Sequence, residues 1–148
     1  MQKTVTAALF ILLTASVSSP VFAQEDVIEK RQKLMKSNSA AVKAIKGAVE
    51  SKDYATIETK AKEIMGNAEK TPSVFPKGST TGKTKAKPVI WEKSDEFAKN
   101  HKNLGKAAGE LAAAAKSQDE SAVGTKFKAL GEVCSSCHKE FRADKYSE

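Results

Sequence analysis

The sequence predicts an all-α protein, an antiparallel four-helix bundle. Apolar residues recur at helical spacing in four segments of the chain. The one long interval without this pattern, residues 71–88, is rich in proline, glycine and lysine, which is typical of an irregular crossover. Residues 24–148 amount to a single domain, so we expect the four apolar stripes to face one common core.

The first two helices are predicted from their apolar stripes and from residues that begin or end helices. In helix one, Gly47 weakens the helix after a stripe formed by Val27, Ile28, Leu34, Met35, Val42 and Ile45. Helix two begins near Ser51 or Asp53, since either side chain can cap it, and it ends at Pro72. Its inward positions are Ile57, Ala61, Ile64, Met65 and Ala68.

Helices three and four follow the crossover. Pro88 precedes helix three, whose stripe consists of Ile90, Phe97, Leu104, Ala108, Leu111 and Ala115. Ser94 and His101 fall on the same stripe. Helix four begins near Asp119, a suitable cap, and its inward positions are Val123, Phe127, Leu130, Cys134, His138 and Phe141.

A motif for covalent haem attachment lies on the inner face of helix four. Cys134 and Cys137 are the only cysteines of the chain, and His138 follows directly. In a Cys-x-x-Cys-His motif, the two thiols bond the porphyrin vinyl groups while the imidazole coordinates the iron. The sequence therefore predicts one covalently attached haem c per chain, bound by Cys134 and Cys137 with His138 as the proximal iron ligand.

Two other interpretations of the cysteine pair are weaker. A structural zinc site needs four protein ligands, and only His138, the distant His101 or a carboxylate could complete one. A thioredoxin-like dithiol needs a βαβ context, which the region around Cys134 lacks. Haem attachment is the favoured interpretation.

The first 23 residues are typical of a cleaved secretory signal peptide. A positive start with Lys3 precedes a short apolar run, and small residues up to Ala23 form a cleavage site before Gln24. The apolar run is shorter than the ~20 residues that span a bilayer, so an integral membrane anchor is the weaker interpretation. We expect export to the periplasm, the compartment in which c-type haem is attached.

The charge of the chain bears on its partners. The formal net charge is +7, and removal of residues 1–23 takes away Lys3 and no acid, leaving +6. The lysines are interspersed with acidic residues and are not interleaved with aromatics, which argues against nucleic-acid binding. We expect partners among periplasmic redox proteins with acidic docking surfaces.

Taken together, these features resemble the cytochrome c-prime family, the class II c-type cytochromes. In that family the haem motif lies on the last helix of a four-helix bundle, and here only ten residues follow His138. The other matching segments are residues 25–28, 31–32, 74–78, 90–91 and 141–142. The resemblance implies one haem c per chain and is compatible with a homodimer.

The resemblance also directs attention to the second axial position of the iron. It lies four residues after Arg31 and is usually an apolar residue that leaves the iron five-coordinate; here it is Met35. Methionine at this place resembles the low-spin, Met-ligated members and suits electron transfer. The alternatives are that Met35 only fills the core, that His101 is the ligand, or, least favoured, that Met65 is.

Four further residues complete the predicted site. The resemblance implies that Arg31 hydrogen-bonds a haem propionate, although a solvated surface charge is the alternative. Arg142 lies one turn after His138 and could contact the haem edge, or could simply complement the helix dipole. Phe141 is expected to pack, and Trp91 to anchor the crossover at the start of helix three.

The favoured function is therefore an electron carrier with a six-coordinate low-spin haem held by His138 and Met35. A five-coordinate, high-spin protein that binds nitric oxide or carbon monoxide is the alternative. An enzyme is the weakest interpretation, because no carboxylate pair or nucleophile with a base accompanies the haem motif.

Overall fold

The computed structural model describes residues 20–145, with side chains from residue 26 onward, as a bundle of antiparallel helices. The elements are α1 (Pro20–Ser51), α2 (Tyr54–Lys70), α3 (Val89–Glu92), α4 (Ser94–Lys116) and α5 (Glu120–Phe141). A 3-10 turn, Thr71–Val74, follows α2. Because α3 is a single turn ahead of α4, the long helices number four, and the predicted four-helix bundle is confirmed.

The N-terminal segment bears on the predicted signal peptide. Residues 1–19 lie outside the described part of the chain, and residues 20–23 form the beginning of α1, ahead of the predicted start at Val27. Cleavage after Ala23 thus stays a prediction. Across residues 20–145, none of the helices combines the length and the apolar character that a membrane span requires.

The main core lies at one end of the bundle, where α1 packs on α2, α2 on α4 and α4 on α5. Its buried members are Ala41, Ile45, Ala48, Ile57, Ala61, Ile64, Ala108, Leu111, Ala112, Ala115, Val123 and Leu130. The many alanines let the helices approach closely, and the isoleucines and leucines fill the space between them. We call this part of the bundle the sealed half.

Two matching turns close the sealed half. Ser51-Lys52-Asp53 joins α1 to α2, and residues 117–119, Ser-Gln-Asp, join α4 to α5. Lys52 and Gln118 have positive φ angles of 57° and 56°. In each turn the residue with positive φ and the aspartate after it donate their backbone N–H groups to carbonyl oxygens of the preceding helix, which is the Schellman pattern. For example, Gln118 N donates to Ala115 O at 2.9 Å.

The last residue of each turn caps the next helix. Asp53 accepts a hydrogen bond from Thr56 N, and Asp119 accepts one from Ala122 N. Of the two caps predicted for helix two, the structure has Asp53 and not Ser51, and the predicted cap Asp119 is confirmed. The hydrogen bond from the Thr56 hydroxyl is the main cause that lowers the pKa of Asp53.

Helix three differs from its prediction as one continuous element. Lys93, at φ −111° and ψ 49°, interrupts it between α3 and α4. Ile90 is buried and the indole Nε1 of Trp91 donates to Phe75 O at 3.2 Å, so the short α3 is fastened to the crossover. The break at Lys93 therefore coincides with tertiary contacts of α3, which the helical periodicity of the sequence cannot reveal. The expected anchoring role of Trp91 is confirmed.

A buried amide links α1 to α2 next to the sealed half. The Asn67 side chain donates to Ser37 Oγ at 2.9 Å and to Asn38 Oδ1 at 2.8 Å. Ser37 in turn donates to Glu63 Oε1 at 2.7 Å. Since buried polar groups need their partners, this network favours one register of α1 against α2.

Candidate functional site

The opposite end of the bundle, which we call the site half, contains the predicted haem motif in the last two turns of α5. Cys134 and Cys137 are free thiols and are half-buried, while His138 is more exposed. Their spacing on one helix places both sulfurs and the imidazole within one turn of each other. The structure therefore brings together the three side chains that the motif requires.

Burial sets the protonation of these groups. It raises the pKa of the Cys134 thiol, and it raises the pKa of Cys137 to about 11, with a further contribution from the negative charges of Cys134 and Glu140. The pKa of His138 is lowered, first by burial and then by the positive charge of Arg142. At neutral pH the site thus presents protonated thiols and a neutral imidazole, and neutral imidazole is the form that ligates metals.

Three phenylalanine rings form a continuous floor beneath the motif. The ring centroids of Phe75 and Phe97 are 4.9 Å apart, and those of Phe97 and Phe141 are 5.4 Å apart in an edge-to-face arrangement. The Arg31 guanidinium lies over the Phe75 ring, 4.3 Å from its centroid. The floor therefore connects α1, the crossover, α4 and α5.

Arg31 and Phe141 relate the positions of Met35 and His138 to the aromatic floor along the bundle axis. Met35 is four residues after Arg31, about 6 Å toward the C-terminus of α1. His138 is three residues before Phe141, about 4.5 Å toward the N-terminus of α5. The two helices are antiparallel, so both steps lead from the floor toward the sealed half. Met35 on α1 and His138 on α5 thus both lie on the sealed-half side of the aromatic floor, each about one helical turn from it.

Arg31 has a structural role that the sequence did not suggest. Its Nε donates to Val74 O at 2.9 Å, and its Nη1 donates to Ser79 O at 3.2 Å and to Thr84 Oγ1 at 2.9 Å. Its Nη2 donates to Ser79 Oγ. These partners lie 43 to 53 residues away, so Arg31 fastens the crossover to α1.

The environment of Arg31 bears on its two predicted roles. The residue is only 4% exposed, so the alternative of a solvated surface charge is wrong. Burial lowers the pKa of its guanidinium to about 10, and the group still carries its charge at neutral pH. Four of its five N–H groups are used by the crossover. The haem-propionate contact stays a prediction, with one Nη2 N–H available for it.

Arg142 and Phe141 end α5. Arg142 is exposed, and its charge lowers the pKa of His138, which agrees with its predicted place near the proximal face. Its backbone pairs with Ala86 of the crossover in an isolated antiparallel bridge. Contact of Arg142 with the haem edge stays a prediction. Phe141 is 3% exposed, and its expected packing role is confirmed.

His101 and Met65 lie where the sequence predicted, on inward-facing positions of their helices. His101 is half-buried, with its ring 6.1 Å from that of Phe97, and burial is the first cause that lowers its pKa, followed by Lys102. Met65 packs toward Gly109 on α4, where its Sδ lies 3.4 Å from the position of an added Cβ. Met65 therefore has the contacts of a packing residue between α2 and α4.

Comparison with known proteins assigns the chain to a family. The Cytochrome C' family profile matches residues 26–142. A cytochrome c' from Rhodospirillum rubrum is 34% identical and covers 97% of this chain and 100% of its own length. The chain belongs to the cytochrome c-prime family. A cytochrome c-556 from Agrobacterium fabrum is 35% identical over 97% of each chain.

A solved structure agrees with the family assignment. The crystal structure of cytochrome c' from Thermochromatium tepidum superimposes with a TM-score of 0.76 at 28% sequence identity, covering 82% of this chain and 97% of that chain. Cytochrome c-prime proteins are four-helix bundles with one covalently attached haem c per chain. The predicted family, fold and cofactor are therefore confirmed, and the chain is a c-type cytochrome.

The donor set of this family member fits a covalently attached haem c. Cys134 and Cys137 would hold the porphyrin through thioether bonds, and the neutral imidazole of His138 would coordinate the iron. The floor of phenylalanines offers an apolar surface beside them. By contrast, residues 26–145, whose side chains the structure describes, contain no group of three or more His, Cys, Asp or Glu side chains that could hold a metal ion, so the zinc alternative has no ligand set there.

Proposed function

We propose that the chain is an electron carrier whose haem iron is six-coordinate and low-spin, with His138 and Met35 as its two axial ligands. The observation that carries this proposal is that Met35 and His138 each lie about one helical turn from the aromatic floor, on its sealed-half side. Met35 belongs to a half-buried stripe on α1 with Val27, Val42 and Val49. A thioether at that position is a suitable ligand for haem iron.

The side chains prepare the site for electron transfer in distinct ways. When bound, haem supplies one-electron chemistry between ferric and ferrous iron. His138, kept neutral by burial, offers its lone pair, and the cysteines tether the macrocycle to α5. Arg31 and the crossover support the turn of α1 that precedes Met35. With both His138 and Met35 as ligands, the iron would change oxidation state with little change in its coordination.

A second candidate function is a five-coordinate, high-spin protein that binds nitric oxide or carbon monoxide. Its supporting observation is that Met35 is a flexible, half-buried side chain on an apolar stripe, as expected of a packing residue. Relatives named cytochrome c' match this chain about as well as those named cytochrome c-556. The two candidates differ in one bond, between Met35 Sδ and the iron.

The optical spectrum of the purified holoprotein tests the choice. We expect split, sharp visible bands in the reduced protein and a sulfur-to-iron charge-transfer band in the oxidised protein. Met35→Leu should convert this spectrum to a broad high-spin one, because leucine has no donor atom. Met65→Leu is the matched control, and it should leave the spectrum unchanged since Met65 packs between α2 and α4.

Two results would contradict the proposed ligand. A high-spin spectrum of the unmodified protein would favour the gas-binding candidate. Alternatively, a Met35→Leu protein that stays low-spin while His101→Ala becomes high-spin would transfer the ligand role to His101.

We further propose a periplasmic location with residues 1–23 as the signal peptide, periplasmic redox proteins as partners, and no enzymatic activity. The side chains gathered in the site half are the two haem-attachment thiols, His138 and aromatic rings, which suit a carrier. A homodimer is also proposed. One matched structure at 28% identity is a cytochrome c' with ligand-controlled dimer dissociation, and its TM-score is 0.77.

A further inference from the structure

The crossover has an unusual charge composition. Residues 71–88 contain four lysines, Lys77, Lys83, Lys85 and Lys87, and no aspartate or glutamate. Lys77 and Lys83 are exposed, whereas Lys85 and Lys87 are half-buried. We call these four lysines the lysine belt. A lysine-rich segment without acids is a local source of positive potential in a chain whose charges are otherwise mixed.

The crossover runs across one end of the bundle from α1 to α5. On the α1 side, Gln32 Nε2 donates to Lys83 O at 2.8 Å, and Arg31 bonds residues on both sides of Lys77. Toward α5, Lys87 N donates to Phe141 O at 3.0 Å, and Ala143 N donates to Lys85 O at 2.8 Å. Both ends of the segment are therefore held by hydrogen bonds.

These contacts place the lysine belt beside the candidate iron ligands. Gln32 is three residues before Met35, and Phe141 is three residues after His138, so each contact lies within one turn of a ligand. The ammonium groups of the belt also approach the end of α5. Lys85 Nζ donates to Asp144 O at 2.6 Å, and Lys87 Nζ donates to Lys139 O at 3.3 Å.

Near the turns of the sealed half, charges of both signs are present. Lys52 Nζ forms an ion pair with Glu120 at 2.7 Å, and Asp53 and Asp119 cap the helices there. Acidic residues of the site half, such as Glu92, Glu96 and Glu140, lie outside residues 71–88, so the belt is the part of this end where positive charge is unmixed.

We propose that the lysine belt is the docking surface for an acidic one-electron redox protein. This inference rests on the proposed electron-carrier function and adds the site at which the partner binds. One electron passes between the haem iron and the partner's centre, so one is oxidised and the other reduced, with no bond or proton transferred. Attraction between the belt and the partner's carboxylates orients the two proteins with their redox centres close together.

A protein partner fits the belt better than a membrane surface. Stable binding to a membrane needs apolar side chains that insert into it, in addition to positive charge. Val74 of the crossover and Ile90 of the adjoining α3 are buried, and the indole of Trp91 donates a hydrogen bond to Phe75 O. The belt offers charge without an apolar anchor.

Stopped-flow electron transfer to the oxidised holoprotein tests this proposal, with a reduced, acidic plant-type ferredoxin as the probe. The variant Lys77→Glu/Lys83→Glu reverses two exposed belt charges whose side chains form none of the hydrogen bonds described above. The matched control Lys43→Glu/Lys46→Glu reverses two exposed charges on α1 in the sealed half. Both variants lower the net charge equally, so a difference between their rate constants shows that the location of the reversed charges matters.

We expect the belt variant to lower the second-order rate constant about tenfold or more at low ionic strength, and the control to lower it much less. The difference should vanish near 1 M salt, where exposed charges are screened. Equal slowing by the two variants, or greater slowing by the control, would overturn the proposal. So would sedimentation of the holoprotein with phosphatidylglycerol vesicles that the belt variant abolishes, because that result assigns the belt to a membrane.

The experiment separates this inference from the proposed function. A low-spin spectrum that depends on Met35, together with equal slowing by both variants, contradicts only the docking surface. If the spectrum is high-spin while the belt variant alone slows electron transfer, the ligand assignment is wrong and the docking surface stands.

Discussion

The sealed half and the site half are built from the same four long helices but are held together differently. In the sealed half, Ile45, Ile57, Leu111 and Leu130 have no exposed surface. The site half also buries Ile28, Ile90 and Phe141, but its haem motif is partly exposed and it depends on an aromatic floor and on a crossover held by hydrogen bonds, several of them from buried Arg31. The sealed half therefore supplies stability through close packing, and the site half supplies the donor groups for haem.

The contrast explains how the bundle can accommodate reactive groups without loss of its fold. The half-buried thiols and the exposed imidazole of His138 gain little from apolar packing, and their environment shifts their pKa values instead. Concentrating the apolar contacts at one end leaves the other end able to hold a large planar cofactor. Each half can consequently be perturbed separately, which the following substitutions exploit.

Leu111→Ala should have the largest effect on stability and should act on the sealed half alone. The side chain is fully buried, so its truncation leaves a cavity and should lower the free energy of unfolding by about 2–5 kcal/mol. Denaturant unfolding of the holoprotein measures the loss, and the haem spectrum should stay unchanged. Leu104→Ala, on the same helix at a half-buried position, is the control and should cost less. A changed haem spectrum in Leu111→Ala would show that the two halves are coupled.

Arg31→Met should have the next largest effect and should act on the site half. Loss of the guanidinium leaves oxygen atoms of Val74, Ser79 and Thr84 without these donors, at a cost of about 1–3 kcal/mol. The crossover should then be cut faster by trypsin. Lys33→Met removes an equal charge from an exposed position of α1, and it should leave the cleavage rate unchanged. Unchanged proteolysis of Arg31→Met would contradict the fastening role.

Gln118→Gly should have the smallest effect, a gain of about 0.5–1 kcal/mol in the free energy of unfolding. Glycine adopts the φ of 56° without the steric cost that other residues have there. Ser117→Gly is the control, since Ser117 has φ −79° and its hydroxyl donates to Ala113 O. Thermal unfolding should rank Gln118→Gly above the unmodified protein and Ser117→Gly below it. The reverse order would contradict the assigned backbone strain.

Much of the fold could be predicted because its determinants are local. Asp53 and Asp119 each precede an apolar stripe, and both cap a helix in the structure. The haem motif was equally readable, since Cys134, Cys137 and His138 are adjacent in sequence. Periodicity also placed Leu111 and Leu130 in the core.

The features that escaped prediction depend on residues distant in sequence. The partners of Arg31 lie in an irregular segment, so no spacing rule connects them. The break at Lys93 arises where the short α3 is fastened to the crossover through Trp91. The positive φ of Lys52 and Gln118 was missed because the usual signal, a glycine, is absent from both turns.

The two short turns have a consequence for how the protein acquires its cofactor. Each turn makes an adjacent pair of helices into a hairpin with mainly local contacts, of the kind that forms quickly. Met35 belongs to the first hairpin and His138 to the second. Neither hairpin alone contains both proposed axial ligands. Haem attached to α5 thus belongs to the second hairpin, and a bond from its iron to Met35 would cross-link the two hairpins.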